Sequence, residues 1–221
     1  MSRDYTALLS ADPAWPALAE SLATSKNGAV VFPSGDSRRA VLEELQVTTR
    51  STLGAIAHET GGIAIDHGWL RMLGSGSAQQ PRALGAWNRE VGLDVADALL
   101  IADDAVGGVF AINGGALGSA RGNVYYFAPD CLEWEDTELG HTDWVEWALN
   151  GDLGQFYENM RWPGWVAEVE ALAGDRAFHF FPPPWTEEGE DVSKVDRRVV
   201  PSRELFGLMI AEMGGDGEDG E

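Results

Sequence analysis

Hydrophobic positions recur along this chain with two spacings, and the change from one to the other divides it. In "DYTALLSADPAWPALAESLATS", Trp15, Leu18, Ala19 and Leu22 fall three and four residues apart, the spacing of one helical face. Asp12 is placed to cap that helix, with Pro13 in its first turn. "GAVVFP" is short and β-branched and reads as a strand ending at Pro33. Ser34 or Asp36 then caps a second helix in "SRRAVLEELQV", where Val41, Leu42 and Leu45 form an apolar stripe.

From about residue 50 the spacing shortens. Glycine and β-branched residues dominate up to Ser77, with turn signals at 60–62 and 74–76, so strands are expected near 53–58, 63–66 and 69–73. "PRALGAWNREVG" suits a short helix or loop. "DALLIAD", "GGVFAIN" and "NVYYFAP" then read as three consecutive strands of an antiparallel meander. In the middle one, Val109 and Ala111 face one way and Phe110 and Ile112 the other. Both faces are apolar, which places that strand inside a sheet.

Helical spacing returns after Asp130, with Trp144, Trp147 and Ala148 together and Val166, Val169 and Leu172 repeating the pattern. "FHFFPPPW" is extended, "EEGEDVSKVDRR" a charged loop, and "PSRELFGLMIAEM" a final helix. The pattern predicts one α+β domain over 1–213, with a mixed, mainly antiparallel central sheet flanked by helices. Residues 214–221, "GGDGEDGE", can bury nothing and read as a disordered acidic tail.

Composition narrows the function. With 221 residues, 44% of them hydrophobic, the chain can build a core without a staple. Cys131 is its only cysteine, so an internal disulfide or a CxxC zinc site is excluded. No run is apolar enough for a signal peptide or a membrane span, which leads us to expect a cytoplasmic protein with no membrane partner. The formal charge is −21 and unevenly spread: residues 130–175 hold 12 acids against Arg161 alone. Such a field repels nucleic acid and steers basic proteins to the surface.

The stretch "ADDAVGGVFAINGG" invites three chemical readings. A phosphate loop fails because the glycine spacing is wrong and no lysine is near. The dinucleotide fingerprint fails too, since "GSGSAQ" has Gln79 where its third glycine belongs. Metal binding fails because neighbours such as Asp103 and Asp104 point to opposite faces of a strand. His58-Glu59 does not extend to HExxH, since Gly62 stands at the last position. No GxSxG elbow occurs, and Cys131, lone and after a strand, reads as a small buried hydrophobe. Asp103 and Asp104 are therefore expected to make a turn by accepting local amides, with Gly107 and Gly108 easing entry to the next strand. We expect no cofactor and no metal.

The long motifs "TTRSTLGAIAHETGGIAIDHGWLRMLGSG", "ADDAVGGVFAINGGALG", "NVYYFAPDCLEWE" and "FYENMRW" resemble the bacterial family catalogued as domain of unknown function 2625, which carries no established activity. The order of "LLIADDAVGGVFAIN", "GNVYYFAPD" with Trp134, and "HTDWVEWAL" is similar, more distantly, to the SUKH superfamily. That likeness implies a SUKH-like fold and a non-enzymatic, protein-binding role, such as an immunity protein against a basic nuclease toxin. This chain departs from the pattern by its added helical material after residue 150. A basic partner would meet Glu133, Glu135, Asp136, Glu138, Asp143 and Glu146, with Trp134 as an exposed aromatic anchor. The alternative is a carbohydrate-active hydrolase using two carboxylates of the 130–146 segment about 5 to 9.5 Å apart.

Overall fold

A computed structural model describes residues 2–215. The chain opens with helices α1 (Tyr5–Leu8) and α2 (Trp15–Ala23), strand β1 (Ala29–Pro33), and helices α3 (Arg38–Leu45) and α4 (Thr52–Glu59). Strands β2 (Thr60–Ile65) and β3 (Leu70–Leu73), helix α5 (Leu84–Glu90), and strands β4 (Ala98–Asp104), β5 (Val109–Asn113), β6 (Asn123–Phe127) and β7 (Trp134–Gly140) follow. The C-terminal part holds α6 (His141–Asn150), α7 (Leu153–Phe156), α8 (Trp165–Glu170), β8 (Arg176–Phe181), β9 (Asp196–Pro201) and α9 (Ser202–Gly215).

Strands β1 to β7 lie side by side in chain order in one sheet, antiparallel at every pairing. The sheet is the middle of three layers. Helix α6 covers one face, where Trp144 is fully buried 5.0 Å from the Phe110 ring. The β8–β9 hairpin and α9 cover the other face, where the Phe178 amide donates to the Ala105 carbonyl at 2.8 Å and Phe206 meets Phe127 edge-on. The α+β reading of the sequence therefore stands, as does the interior position of β5 between β4 and β6.

Four local expectations are corrected. Residues 53–58 form a helix, not a strand: the Ser51 hydroxyl caps it by accepting from the Gly54 amide, and Gly54 to Ala57 are all buried. An apolar run buried on every side has no periodicity to betray it. The first long helix begins at Trp15 with Ala14 as its cap and Pro16 in its first turn, later than Asp12 suggested. The acid-rich 134–140 run is an edge strand, and residues 196–198, read as the end of a charged loop, open the hairpin's second strand, 196–201. Acidic residues are poor strand formers but are common protection on sheet edges. Gly214 and Gly215 complete α9, and the rest of the expected tail, 216–221, lies outside the described residues.

The sheet's central charge is buried. Asp103 is almost fully enclosed, and two arginines each grip it with two hydrogen bonds: Arg71 at 3.1 and 2.7 Å, Arg82 at 2.7 and 2.9 Å. Both arginines reach on to the C-terminal layer, Arg71 donating to the Arg176 carbonyl at 2.6 Å and Arg82 to that of Gly174 at 3.0 Å. Removing one member of such a group strands the others without a counter-charge. Asp103→Asn should therefore cost about 3 kcal/mol or more, read as a lower urea midpoint, while an exposed control such as Asp94→Asn should stay within about 0.5 kcal/mol.

Candidate functional site

Strand β7 is one free edge of the sheet and carries the densest charge. Glu135, Asp136 and Glu138 lie exposed along it, Glu133 just before it, and Asp143 and Glu146 on α6 just after it. None of the six makes an ion pair among the described residues. Arg161 lies in the same acidic stretch but is turned inward, paired with Asp66 and stacked on Trp69 and Trp165 at 4.8 and 4.3 Å. Near the start of α6, Asp143 also sits where the helix dipole favours a negative charge.

Pairing register sorts these acids by face. Glu135 lies opposite Tyr126, on the α6 side of the sheet, while Trp134 lies opposite Phe127, on the hairpin side. Trp134 is half-buried, its ring packed 5.1 Å from that of Phe127 on the hairpin side, away from Glu135. The Asp136 carboxylate accepts from the Asn123 amide at 3.0 and 3.2 Å and from the Glu138 backbone N–H at 2.8 Å. The Glu146 carboxylate takes the Asn150 amide at 2.8 Å. Glu135 meets only the Cys131 thiol, 3.9 Å away. Cys131 itself is exposed, contrary to the buried hydrophobe expected of it.

Between β7, α6 and α7 the surface sinks into a cavity of about 280 Å³. Tyr126, Trp147 and Phe156 line it with Thr137 and Leu139, and Glu135 and Asp136 border it. The three rings brace one another: Phe156 lies 5.1 Å from Tyr126 and 5.0 Å from Trp147, both edge-on. The spacing of Trp147 with Trp144 marked it as a helix-face residue, but nothing local in the sequence joins it to Phe156 or Tyr126.

A larger groove, about 950 Å³, opens on the hairpin side of β1 to β3. Val30, Phe32, Ala64 and Leu172 give it an apolar lining, and Arg71 lies in its wall. At its mouth Asp66, His67 and Gly68 all have positive φ, at 52°, 60° and 89°. Two consecutive non-glycine residues in that region are strained, and Asp66–Arg161 and His67–Glu170 pairs hold them there. Arg71 and His67 are thus already engaged within the chain.

The "ADD" turn divides as the strand geometry required. Asp104 makes the turn, accepting from the Val106 and Gly108 amides at 3.0 and 2.8 Å, and from the Tyr126 hydroxyl at 2.8 Å. Asp103, on the other face, belongs instead to the arginine cluster, which the sequence reading missed. Its one signal was an arginine set among apolar residues in "WLRML". Gly108 packs so closely on Asp104 and Tyr126 that a side chain there would collide with both. Among the described residues no group of three or more His, Cys, Asp or Glu is arranged to hold a metal ion, and no helix is long and apolar enough to cross a membrane.

The family model for "Protein of unknown function DUF2625" matches residues 6–205. The chain belongs to the DUF2625 family. A relative from Escherichia coli K12, "Putative uncharacterized protein YbfG", is 42% identical over 196 residues, covering 88% of this chain and 89% of its own. An "Uncharacterized protein" from Haemophilus influenzae is 38% identical over 174 residues, 76% of each chain. No solved structure matches this DUF2625 chain.

The Asp104 contact that steadies Tyr126 has a pH signature. Burial pushes this carboxyl up from its ordinary 3.8 to about 6, against the Tyr126 and backbone hydrogen bonds that pull it down. The folded state therefore holds this proton more tightly than the unfolded chain, and its contribution to stability falls as pH rises from about 4 to about 6. Measured against Asp104→Asn, wild-type unfolding free energy should drop by up to ~3 kcal/mol between pH 4 and 7. A pH-independent difference between the two proteins would show that Asp104 does not titrate in this way.

Proposed function

We propose that this DUF2625 protein is a non-enzymatic binding module that docks a basic protein against the β7–α6 edge. The observation that carries the reading is the set of six exposed carboxylates with no cationic partner among the described residues. Charge left unpaired on one edge contributes little to stability but raises the encounter rate with a basic surface. Aromatic surface beside it, Phe156 at 39% exposed and Trp147 half-buried, supplies the apolar contact that concentrates binding energy. The anchor role expected of Trp134 thus passes to these two rings.

The distant likeness to the SUKH superfamily supports the same reading, with an immunity-type role against a basic nuclease toxin in the cytoplasm as its most specific form. For a carboxylate hydrolase, Glu135 and Asp136 are poorly disposed: both border the cavity, but Asp136 is already engaged by the Asn123 amide and the Glu138 backbone N–H.

Tagged protein should capture a basic partner, identifiable by mass spectrometry, that elutes between about 0.15 and 0.5 M salt, where surface charge is progressively screened. Reversing Glu135, Asp136 and Glu138 to Lys should abolish that capture with little change in melting temperature. A partner retained through both the salt step and the triple reversal would sink the reading.

A further inference from the structure

The cavity beneath Glu135 has a chemistry more selective than the charge around it, and its interpretation rests on the docking reading above. At about 280 Å³ it is below the usual size of a small-molecule site and suited to one inserted side chain. Three aromatic rings line it with Thr137 and Leu139, and of its two carboxylates, Glu135 and Asp136, Glu135 alone is left without an amide donor or a cation among the described residues. Register places that carboxylate on the same side of β7 as the rings, whereas Asp136 is held by Asn123 and the Glu138 amide. We propose that this pit receives a single arginine side chain of the docking partner, its guanidinium laid on the Trp147 and Phe156 rings and paired with Glu135.

Arginine fits where lysine and apolar residues do not. A guanidinium is planar and weakly hydrated, so it stacks on an aromatic face and presents two parallel N–H groups to a carboxylate at once. An ammonium is compact and strongly hydrated and gives up more water to enter the same space. An apolar side chain would bury Glu135 without a counter-charge. Phe156 stays open in the free protein although its neighbours Tyr126 and Tyr157 are enclosed, so the aromatic surface is in place before a partner arrives.

Two blocked tetrapeptides of equal charge, acetyl-RRRR-amide and acetyl-KKKK-amide, test this by calorimetry or fluorescence anisotropy at low salt. The arginine peptide should bind about fivefold tighter or more, the worth of a cation–π contact. Phe156→Leu, which keeps the apolar volume, should bring the ratio below about twofold by weakening the arginine peptide more than the lysine peptide. Glu135→Gln, at an exposed position, should narrow the ratio too and lower both affinities. Equal binding by the wild type, or a preference that survives both substitutions, overturns the arginine pit and leaves the acidic-face reading standing. If neither peptide binds, both readings fail.

Discussion

The clamp of Arg71 and Arg82 on Asp103 is the constraint on which the rest of the architecture depends. A carboxylate inside a sheet is costly unless it is fully paired, and two guanidiniums on one carboxylate leave an excess of positive charge as well. The carbonyls of Asp104, Gly174 and Arg176 absorb that excess by accepting the remaining N–H groups. Two of those carbonyls belong to the C-terminal layer. The charge group can therefore be satisfied only when the chain after residue 170 is seated on the sheet, which ties hairpin and sheet into one cooperative unit.

From the same pair of residues the structure reaches the opposite surface. Asp104, one residue on, faces the helical layer and holds the Tyr126 hydroxyl, and Tyr126 is part of the aromatic floor beneath β7. Adjacent acids on one strand thus serve two layers. Asp103 fixes the back of the sheet, and Asp104 orients a ring that lines the cavity beneath β7.

Much of the fold was legible because the sheet's interior strands are apolar on both faces and bounded by turn residues. β1 to β6 announce themselves by β-branched runs between glycine turns, and α2, α3, α6 and α9 by their apolar stripes. What was hidden follows from burial and from edges. α4 is apolar on all sides and so lacks a stripe, while β7 and β9 carry charges that local propensity assigns to loops. The site was half legible. Charge density singled out Glu135 and its neighbours, but the pit unites Tyr126, Trp147 and Phe156 from three elements, a juxtaposition that only the tertiary fold creates. Likewise Trp134 looked like an anchor by composition, yet strand register turns it toward Phe127.

Arg161 shapes the molecule by where it is not. With its guanidinium held between Asp66 and the Trp69 and Trp165 rings, the acidic edge has no counter-ion among the described residues and draws one from solvent. Dissolved cations gathered along β7 relieve the mutual repulsion of its carboxylates, as they do on any densely charged surface. The same ions would compete with the proposed docking partner for those carboxylates. Ionic strength would then act in two opposed directions, firming the folded chain while loosening the proposed complex.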